Sequence, residues 1–483
     1  MSKLNKKYFT LAPELRLHIT PDFGYALSKD SVLSTTAVKA LKKNSGLMVN
    51  HTGILFLKHA DGTRTISEVV DICHSMLGNP EKDFSTKLMK FINQACKYNQ
   101  IILHSNPMPS SVNITGREDM WFPVHAMLEL TIDCNLKCIH CYRFSPTPDN
   151  VPDVEVFSTE DWIKVLEILH KNGMVTLEFS GGEPLLHPGF KRILNRALDF
   201  YPLIAIITNG TLVTDELCDY FAQHADQLLF SVSLDGSTEE IHDRIRGVKG
   251  AFKTTTTAIK KLVSRGLRVR AGVTFSLSNV FDFENIILLS KDLGCWSLAF
   301  GPAFPYGRGS TLDRNTSEDR TLEILEYIGA TTKKYAGFLS LLEDHHIEMM
   351  NLVGNCGAAH RSVTIGPNGD IRPCPMMPTV GPVLGNILRE KYEDIFSNPI
   401  IRNFRELPVP REEICGNCDR LGFCKFCSLR GAYTYANLKK DCIWARTHNI
   451  DQWLDISSFV DPYVKPEDVS VEMLDLGKSG CEE

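Results

Sequence analysis

The chain has 483 residues, 43% of them hydrophobic and 23% charged, with a formal net charge of -6 at pH 7. That length bounds roughly two to four domains, and the composition is that of a soluble globular protein rather than a disordered or fibrous one. The charge excludes a broad electrostatic drive toward nucleic acid or anionic membrane, no run approaches about 18 uncharged apolar residues, and MSKLNKKYF does not lead into an apolar signal-peptide core.

Short strands are expected first, at Arg16–Ile19, Tyr25–Leu27 and Leu47–Val49. Asn50 is placed to cap a helix over Thr52–His59, which a turn at Asp61-Gly62 would end. Thr65 and Glu68 form a capping box for a helix to about Met76, and a third helix fits Asp83–Tyr98, with Leu88, Phe91 and Ile92 on one face. Three small strands and three helices make residues 1–105 a winged-helix-like module. It serves either as a packing or dimerisation appendage or as a sheet edge that takes up a peptide as an added strand. The layout, with the DGTRT junction at Asp61–Thr65, is similar to the precursor-peptide recognition domain fused to many ribosomal-peptide maturases. Residues 106–122 are turn-rich and read as a linker.

From 123 to 310 strand and helix patterns alternate. Strands are expected at Met127–Thr131, Val175–Phe179, Leu203–Ile207, Leu228–Ser233, Arg268–Phe275 and Trp296–Phe300. Helices fall between them at Asp161–His170, Gly189–Leu198, Thr214–Phe221, Phe252–Ser264 and Asp282–Lys291. Six βα units predict an α/β fold, a parallel sheet closed or partly closed as a (β/α)6 barrel, with its site at the carboxyl ends of the strands. The polar motifs fall at those ends. Cys134, Cys138 and Cys141 follow strand one, Ser180–Pro184 follows strand two, Thr208-Asn209-Gly210 follows strand three and Asp235-Gly236 ends strand four.

The Cys-x3-Cys-x2-Cys spacing offers three thiolates to one small metal centre, whereas a closed zinc site or an ordinary cubane takes four ligands. The alternative is a zinc site completed by His140 or a distant residue. Gly181 and Gly182 would let backbone approach a ligand closely, with Glu183 near an ammonium group. Ser231, Ser233 and Asp235 alternate onto one strand face, where they meet ribose hydroxyls or line a wet barrel end. Arg270, Thr274 and Asn279 are further candidates, Arg308 is a cation near the same mouth or a surface arginine, and Tyr142 covers an adenine or packs in the core. A Ser-x-x-Glu capping box explains Ser237 and Glu240, and His242, Asp243 and Arg244 read as a local polar network.

With GGEP at Gly181–Pro184, TNG at Thr208–Gly210, SVSLDG at Ser231–Gly236 and HDRIRG at His242–Gly247, the cysteine triad resembles that of the radical S-adenosylmethionine family. The resemblance implies a 4Fe-4S cluster on the triad whose open iron binds S-adenosyl-L-methionine. It also implies cofactor contacts from Tyr142, Gly181, Gly182, Glu183, Thr208, Asn209, Ser231, Ser233, Asp235, Arg270 and Asn279.

After a bridge read as helical over 311–345, cysteines return at 356, 374, 415, 418, 424, 427 and 442. Fifteen cysteines, an odd number gathered into such units, argue for metal ligation in a reducing cytoplasm rather than for a disulfide framework. Paired zinc sites are one reading, and iron–sulfur clusters, which move electrons, are the other. Residues 346–450 resemble the SPASM domain of two auxiliary 4Fe-4S clusters, departing from it in the x2 spacing of Cys424 and Cys427. The resemblance assigns Cys415, Cys418, Cys424 and Cys442 to one cluster, and Cys356, Cys374 and Cys427 to the other. The latter is closed by Cys295 or left open for a substrate thiolate. A hairpin turn at Pro367-Asn368-Gly369 brings Cys374 back to the cluster, and 451–483 reads as an acidic tail whose Cys481 is not a ligand.

The combination looks like a sactipeptide maturase of the subtilosin type. That family implies three clusters, a ribosomally made precursor peptide bound through its leader, and a low-potential electron donor such as flavodoxin or ferredoxin. The product carries thioethers from Cys sulfur to an α-carbon. Carbon–carbon crosslinking enzymes, peptide epimerases and anaerobic sulfatase maturases share the same motifs.

Overall fold

Two short, largely buried segments, Tyr8–Leu11 (β1) and Leu15–Ile19 (β2), begin separate sheets in the computed structural model. The structure describes residues 3–13, 15–28, 47–78, 83–97, 99–143, 155–304, 306–312, 318–339, 354–377, 381–418, 420–437 and 441–459. They divide into two compact units, one of 1–125 with 167–176 and 200–202, the other holding the remainder.

In the first unit β3 (Gly24–Ser28), β4 (Leu47–Val49), α1 (His51–Lys58), β5 (Asp61–Thr65), α2 (Ile66–Met76), α3 (Phe84–Lys97), β6 (Ile101–His104) and β7 (Ile114–Gly116) follow. One sheet runs β5-β1-β6, the other β4-β3-β2-β7, with β7 parallel to β2. Asn50 and Thr65 cap α1 and α2 as their side chains allow, the latter with the full capping box. Phe9 stacks on Phe56 at 4.7 Å in the core between them.

The Asp61-Gly62 pair opens strand β5 and is not the helix-ending turn expected of it. Gly62 takes φ 73°, and the Met108 amide donates to its carbonyl at 2.9 Å. A Cβ there would stand 1.9 Å from Met108 O. The 106–122 segment, read as a linker, thus runs along β5 and then contributes β7.

The second unit is built on β8 (His125–Thr131), α4 (Thr159–Lys171), β9 (Thr176–Gly181), α5 (Phe190–Phe200), β10 (Leu203–Thr208), α6 (Asp215–Ala222), β11 (Leu228–Ser233), α7 (Glu239–Arg246), α8 (Ala251–Ser264), β12 (Arg268–Phe275), α9 (Phe283–Asp292) and β13 (Ser297–Pro302). Strands β10 and β11 are buried almost throughout, as parallel strands covered on both faces must be. The helices supply the cover: α5 buries Phe190, Ile193, Leu194 and Ala197, the i, i+3, i+4, i+7 stripe of one face. β10 to β13 pair in parallel.

Among the described residues the sheet is open. Its order is β13-β12-β11-β10-β9-β8-β14-β15-β16, so β14 (Ser362–Ile365), β15 (Asp370–Arg372) and β16 (Gly385–Asn386) extend the β8 edge. The turn joining β14 to β15 has Gly369 at φ 86°, where a Cβ would lie 2.1 Å from the Phe157 ring. This is the hairpin expected from Pro367-Asn368-Gly369.

Helix α7 is capped by Thr238, whose hydroxyl accepts from the Ile241 amide, and not by Ser237. Ser237 instead donates from its amide and hydroxyl to Asp282, both at 2.6 Å. Of the 311–345 bridge, α10 (Glu318–Tyr335) is described. The expected tail begins as ordered chain: Phe459 is buried and its carbonyl accepts from Asn437 Nδ2 at 2.8 Å. Residues 460–483, with Cys481, lie outside the described residues. No described helix is long and apolar enough to cross a membrane.

His18 on β2 is fully buried between Thr115 Oγ1 and the Phe122 carbonyl. Burial pushes its imidazole down to about 4, against the opposing hydrogen bond to Phe122 and with help from Arg16. A depressed native pKa means the unfolded chain binds the extra proton, so the stabilisation is present above about 6.5 and is lost as pH falls toward about 4. Urea unfolding of this unit should lose up to about 3 kcal/mol across that window. In His18→Gln the slope over the same window should flatten.

Candidate active site

The three thiols of the β8 loop are gathered by packing. Cys134, Cys138 and Cys141 form one cluster with Leu136, Val248 and Ala251. Burial raises the Cys134 thiol to about 11, and the nearby Cys138, Glu183 and Cys141 push the same way. Burial raises the Cys138 thiol as well, and a bound cationic centre reverses such a preference and makes thiols of this kind its donors. The Cys134 sulfur also accepts a hydrogen bond from the Leu136 amide, and Cys138 Sγ accepts one from Arg246 Nη1 at 3.5 Å. Such bonds stabilise thiolate ligands of an iron–sulfur cluster. Among the described residues no three His, Cys, Asp or Glu side chains converge closely enough to hold a single metal ion.

The loop carrying these cysteines is held by four of its neighbours. After β9, the amides of Gly182 and Glu183 donate to the carbonyls of Thr131 and Asp133 at 2.8 and 2.7 Å. A Cβ on Gly182 would fall 1.9 Å from Asp133 O, and one on Gly181, at φ 126°, would fall 2.4 Å from Thr131 O. The glycines therefore admit the cysteine-loop backbone itself. After β10, Asn209 Nδ2 donates to Asn135 Oδ1 at 2.9 Å. At the end of α7, the Arg246 and Ile245 carbonyls accept from the amides of Lys137 and Ile139. After β13, Arg308 donates from its amide to Cys141 O and from Nε to Cys138 O, at 2.9 and 2.8 Å. Its guanidinium thus straps the loop.

Glu183 links two of these segments. Its buried carboxylate accepts from Thr208 Oγ1 at 2.7 Å, the Asn209 amide at 2.8 Å and the Leu185 amide at 3.2 Å. These fill three of about four lone-pair positions. Burial raises its pKa to about 7 in spite of those donors.

Asp235, fully buried at the end of β11, is the centre of a second network. It pairs with Arg246 at 2.6 Å, lies 3.6 Å from His140 Nε2 and accepts from the Thr274 amide at 2.8 Å. Burial opposes its ionisation, but Arg246, with the Thr274 amide adding to it, outweighs burial and holds it below the usual carboxylate range. Burial drives His140 down to about 4 even so, which leaves it neutral at pH 7. His242 Nδ1 accepts from the Asp235 amide. Arg246 was not singled out in sequence. Its signal was its place in HDRIRG, one residue before the helix-ending Gly247.

Other predicted residues are also engaged within the protein. Arg270 donates from Nε and Nη2 to Ser231 Oγ at 3.3 and 3.1 Å. Asn279 Nδ2 donates to the carbonyls of Asp235 and Thr274, and its Oδ1 accepts from Ser276. Ser233, at the carboxyl end of β11, is half-buried. Tyr142 is half-buried beside Arg143 and Arg372, and burial raises its phenol well above the ordinary value.

The C-terminal cysteines influence one another in two sets that share Cys427. Burial raises Cys374, and Cys356 and Cys427 push it further; Cys356 is raised to about 11 by burial and by Cys427. Cys424 is raised to about 12 by burial, with Cys442, Cys427 and Cys418 adding to it, and Cys415 responds to burial, Cys442 and Cys418. Cys295 belongs to neither group. It enters β13 at its amino end, where the Ala271 backbone bonds its thiol. All fourteen described cysteines are free thiols.

An α/β sheet with its polar motifs at the carboxyl ends of parallel strands, and a cysteine loop after the first of them, defines an enzyme built around a thiol-ligated centre. Residues 128–287 match the radical SAM superfamily, and residues 356–419 match the SPASM iron–sulfur cluster-binding domain. The chain therefore carries a radical SAM domain and, after it, a SPASM domain. It is 27% identical over 442 residues to the antilisterial bacteriocin subtilosin biosynthesis protein AlbA of Bacillus subtilis (strain 168), covering 90% of this chain and 96% of that one. The sporulation killing factor maturation protein SkfB of the same strain is 27% identical over 290 residues, 59% of this chain and 68% of that one. The fold is shared with Streptococcus suis SuiB bound to S-adenosylmethionine, at TM-score 0.58 and 15% identity over 85% of this chain and 93% of that one.

Asp235→Asn should destabilise the fold by about 3–5 kcal/mol in urea, because it strands Arg246 in the interior. Adding Arg246→Met should recover part of that loss. A double variant no more stable than the single one would show that the pair does not act as a unit.

Proposed function

We propose that the chain is a peptide maturase that installs thioether crosslinks, Cys sulfur to α-carbon, in a ribosomally synthesised precursor peptide. Similarity to the subtilosin biosynthesis protein across nearly the full length of both chains supports the substrate class. The observation that carries the thioether reading is the three-thiol group of Cys356, Cys374 and Cys427, with Cys295 bonded elsewhere. A cubane takes four ligands. A substrate cysteine would supply the fourth, and metal coordination deprotonates a thiol.

In this reading Cys134, Cys138 and Cys141 hold the first 4Fe-4S cluster. Cys356, Cys374 and Cys427 hold the second, and Cys415, Cys418, Cys424 and Cys442 the third. When bound, the triad cluster and S-adenosyl-L-methionine supply the carbon-radical chemistry that takes hydrogen from a peptide carbon, while the auxiliary clusters supply an electron sink.

The protein's own residues position and shield. The four straps fix the cysteine loop at the carboxyl ends of the strands, where Tyr142, Gly181, Gly182, Glu183, Thr208, Asn209, Ser231, Ser233, Asp235, Arg270 and Asn279 line or support the cofactor's place. Neutral His140 and the Asp235–Arg246 pair keep a balanced charge behind the triad. The N-terminal unit takes the precursor's leader, and a flavodoxin or ferredoxin in the cytoplasm provides electrons.

Anaerobic incubation with a cysteine-containing precursor should give a product lighter by a pair of hydrogens per bridge, with one thiol per bridge closed to alkylation. The same mass loss with every thiol still reactive would instead indicate carbon–carbon crosslinking, and no mass change would indicate epimerisation.

A further inference from the structure

One carboxylate inside the second unit faces two guanidiniums. Glu129 lies on β8, Arg143 follows Cys141 by two residues, and Arg372 lies on β15 two residues before Cys374. Both arginines pair with Glu129, and the side chains are 9%, 5% and 1% exposed for Arg143, Arg372 and Glu129. Arg372 is further fixed by donating to the Met377 carbonyl at 3.1 Å. Arg143 Nε has no hydrogen-bond partner among the described residues.

The three formal charges sum to one net positive charge held out of water, which is unfavourable unless an anion lies nearby. Of the thiol and carboxylate that act on Arg372, Cys374 acts more strongly than the half-buried Asp370. Arg372 and Cys374 act on each other electrostatically. A 4Fe-4S cluster with thiolate ligands is a net anion, and its reduction adds one electron and one further negative charge. A fixed cation beside it stabilises the reduced form more than the oxidised form and so raises the reduction potential.

We propose that Glu129, Arg143 and Arg372 form a charged bridge that locks the Cys374 hairpin to the Cys141 loop and holds a net positive charge beside the auxiliary cluster, raising its potential. This rests on the assignment of an iron–sulfur cluster to Cys356, Cys374 and Cys427. Glu129 is a positioning residue, because it touches neither the reacting carbon nor the thiol and acts through the two arginines. The raised potential favours uptake of the electron released when the carbon–sulfur bond forms.

The test uses the full chain with Cys134, Cys138 and Cys141 replaced by Ala, reconstituted anaerobically and titrated electrochemically under electron paramagnetic resonance. Arg372→Gln leaves a neutral Glu129–Arg143 pair, and one auxiliary wave should move to a more negative potential. Glu129→Gln leaves two cations, and the same wave should move positive. Arg372→Lys keeps the charge and should restore it. Opposite shifts at full iron content cannot come from loosened packing alone. If Glu129→Gln does not fold, the Arg372→Gln and Arg372→Lys comparison decides the matter. Unshifted waves, or shifts of one sign in both charge-changing variants, overturn the bridge and leave the cluster assignment standing. Absence of an auxiliary signal that depends on Cys374 overturns the assignment and the bridge together.

Discussion

A buried ion pair, Asp235 with Arg246, stands behind the cysteine loop, and the position of everything ahead of it depends on that pair. Burying either charge alone would be prohibitive, so the two must stay together. Arg246 ends α7, where its carbonyl holds the Lys137 amide and its guanidinium reaches Cys138 Sγ. Asp235 ends β11 and bonds β12 through Thr274. One electrostatic constraint thereby joins two strands, one helix and the loop that carries the thiols. Gly182, Glu183 and Arg308 add hydrogen bonds to the backbone of the same loop, and Asn209 adds a side-chain bond to Asn135.

This explains why so many polar side chains at the strand ends are engaged with one another. Glu183 ties the β9 and β10 ends, Asn279 ties β12 to Asp235, and Arg270 holds Ser231. A site that must keep three thiols at fixed separation needs rigid support more than it needs many free side chains. Gly182 is the sharpest instance, since one added methyl would strike Asp133 O.

Much of the second unit was legible in sequence because parallel strands buried on both faces read as continuous apolar runs, and the helices between them keep a strict stripe. All six strands and five of the six helices between them, α7 being the exception, lie within a few residues of the expected spans. The first unit was less legible. β1, β6 and β7 are only four, four and three residues long, too short for a period-two pattern to stand out. Asp61-Gly62 has turn composition, yet tertiary pairing with β1 makes it a strand. The cysteine sets were visible from spacing, but the partners that hold them were not. Arg246, Glu129 and Arg143 are ordinary residues in sequence, and only the fold shows that each is buried against an opposite charge.

The triad loop is the proposed seat of a reducible cluster that engages S-adenosyl-L-methionine. The most direct measurement is release of 5′-deoxyadenosine by the anaerobically reconstituted chain given S-adenosyl-L-methionine and a strong one-electron reductant. Release should be seen, and should disappear when Cys134, Cys138 or Cys141 is replaced by Ala. Release that persists without those thiols, or a fully iron-loaded protein that yields none, would contradict that role for the loop.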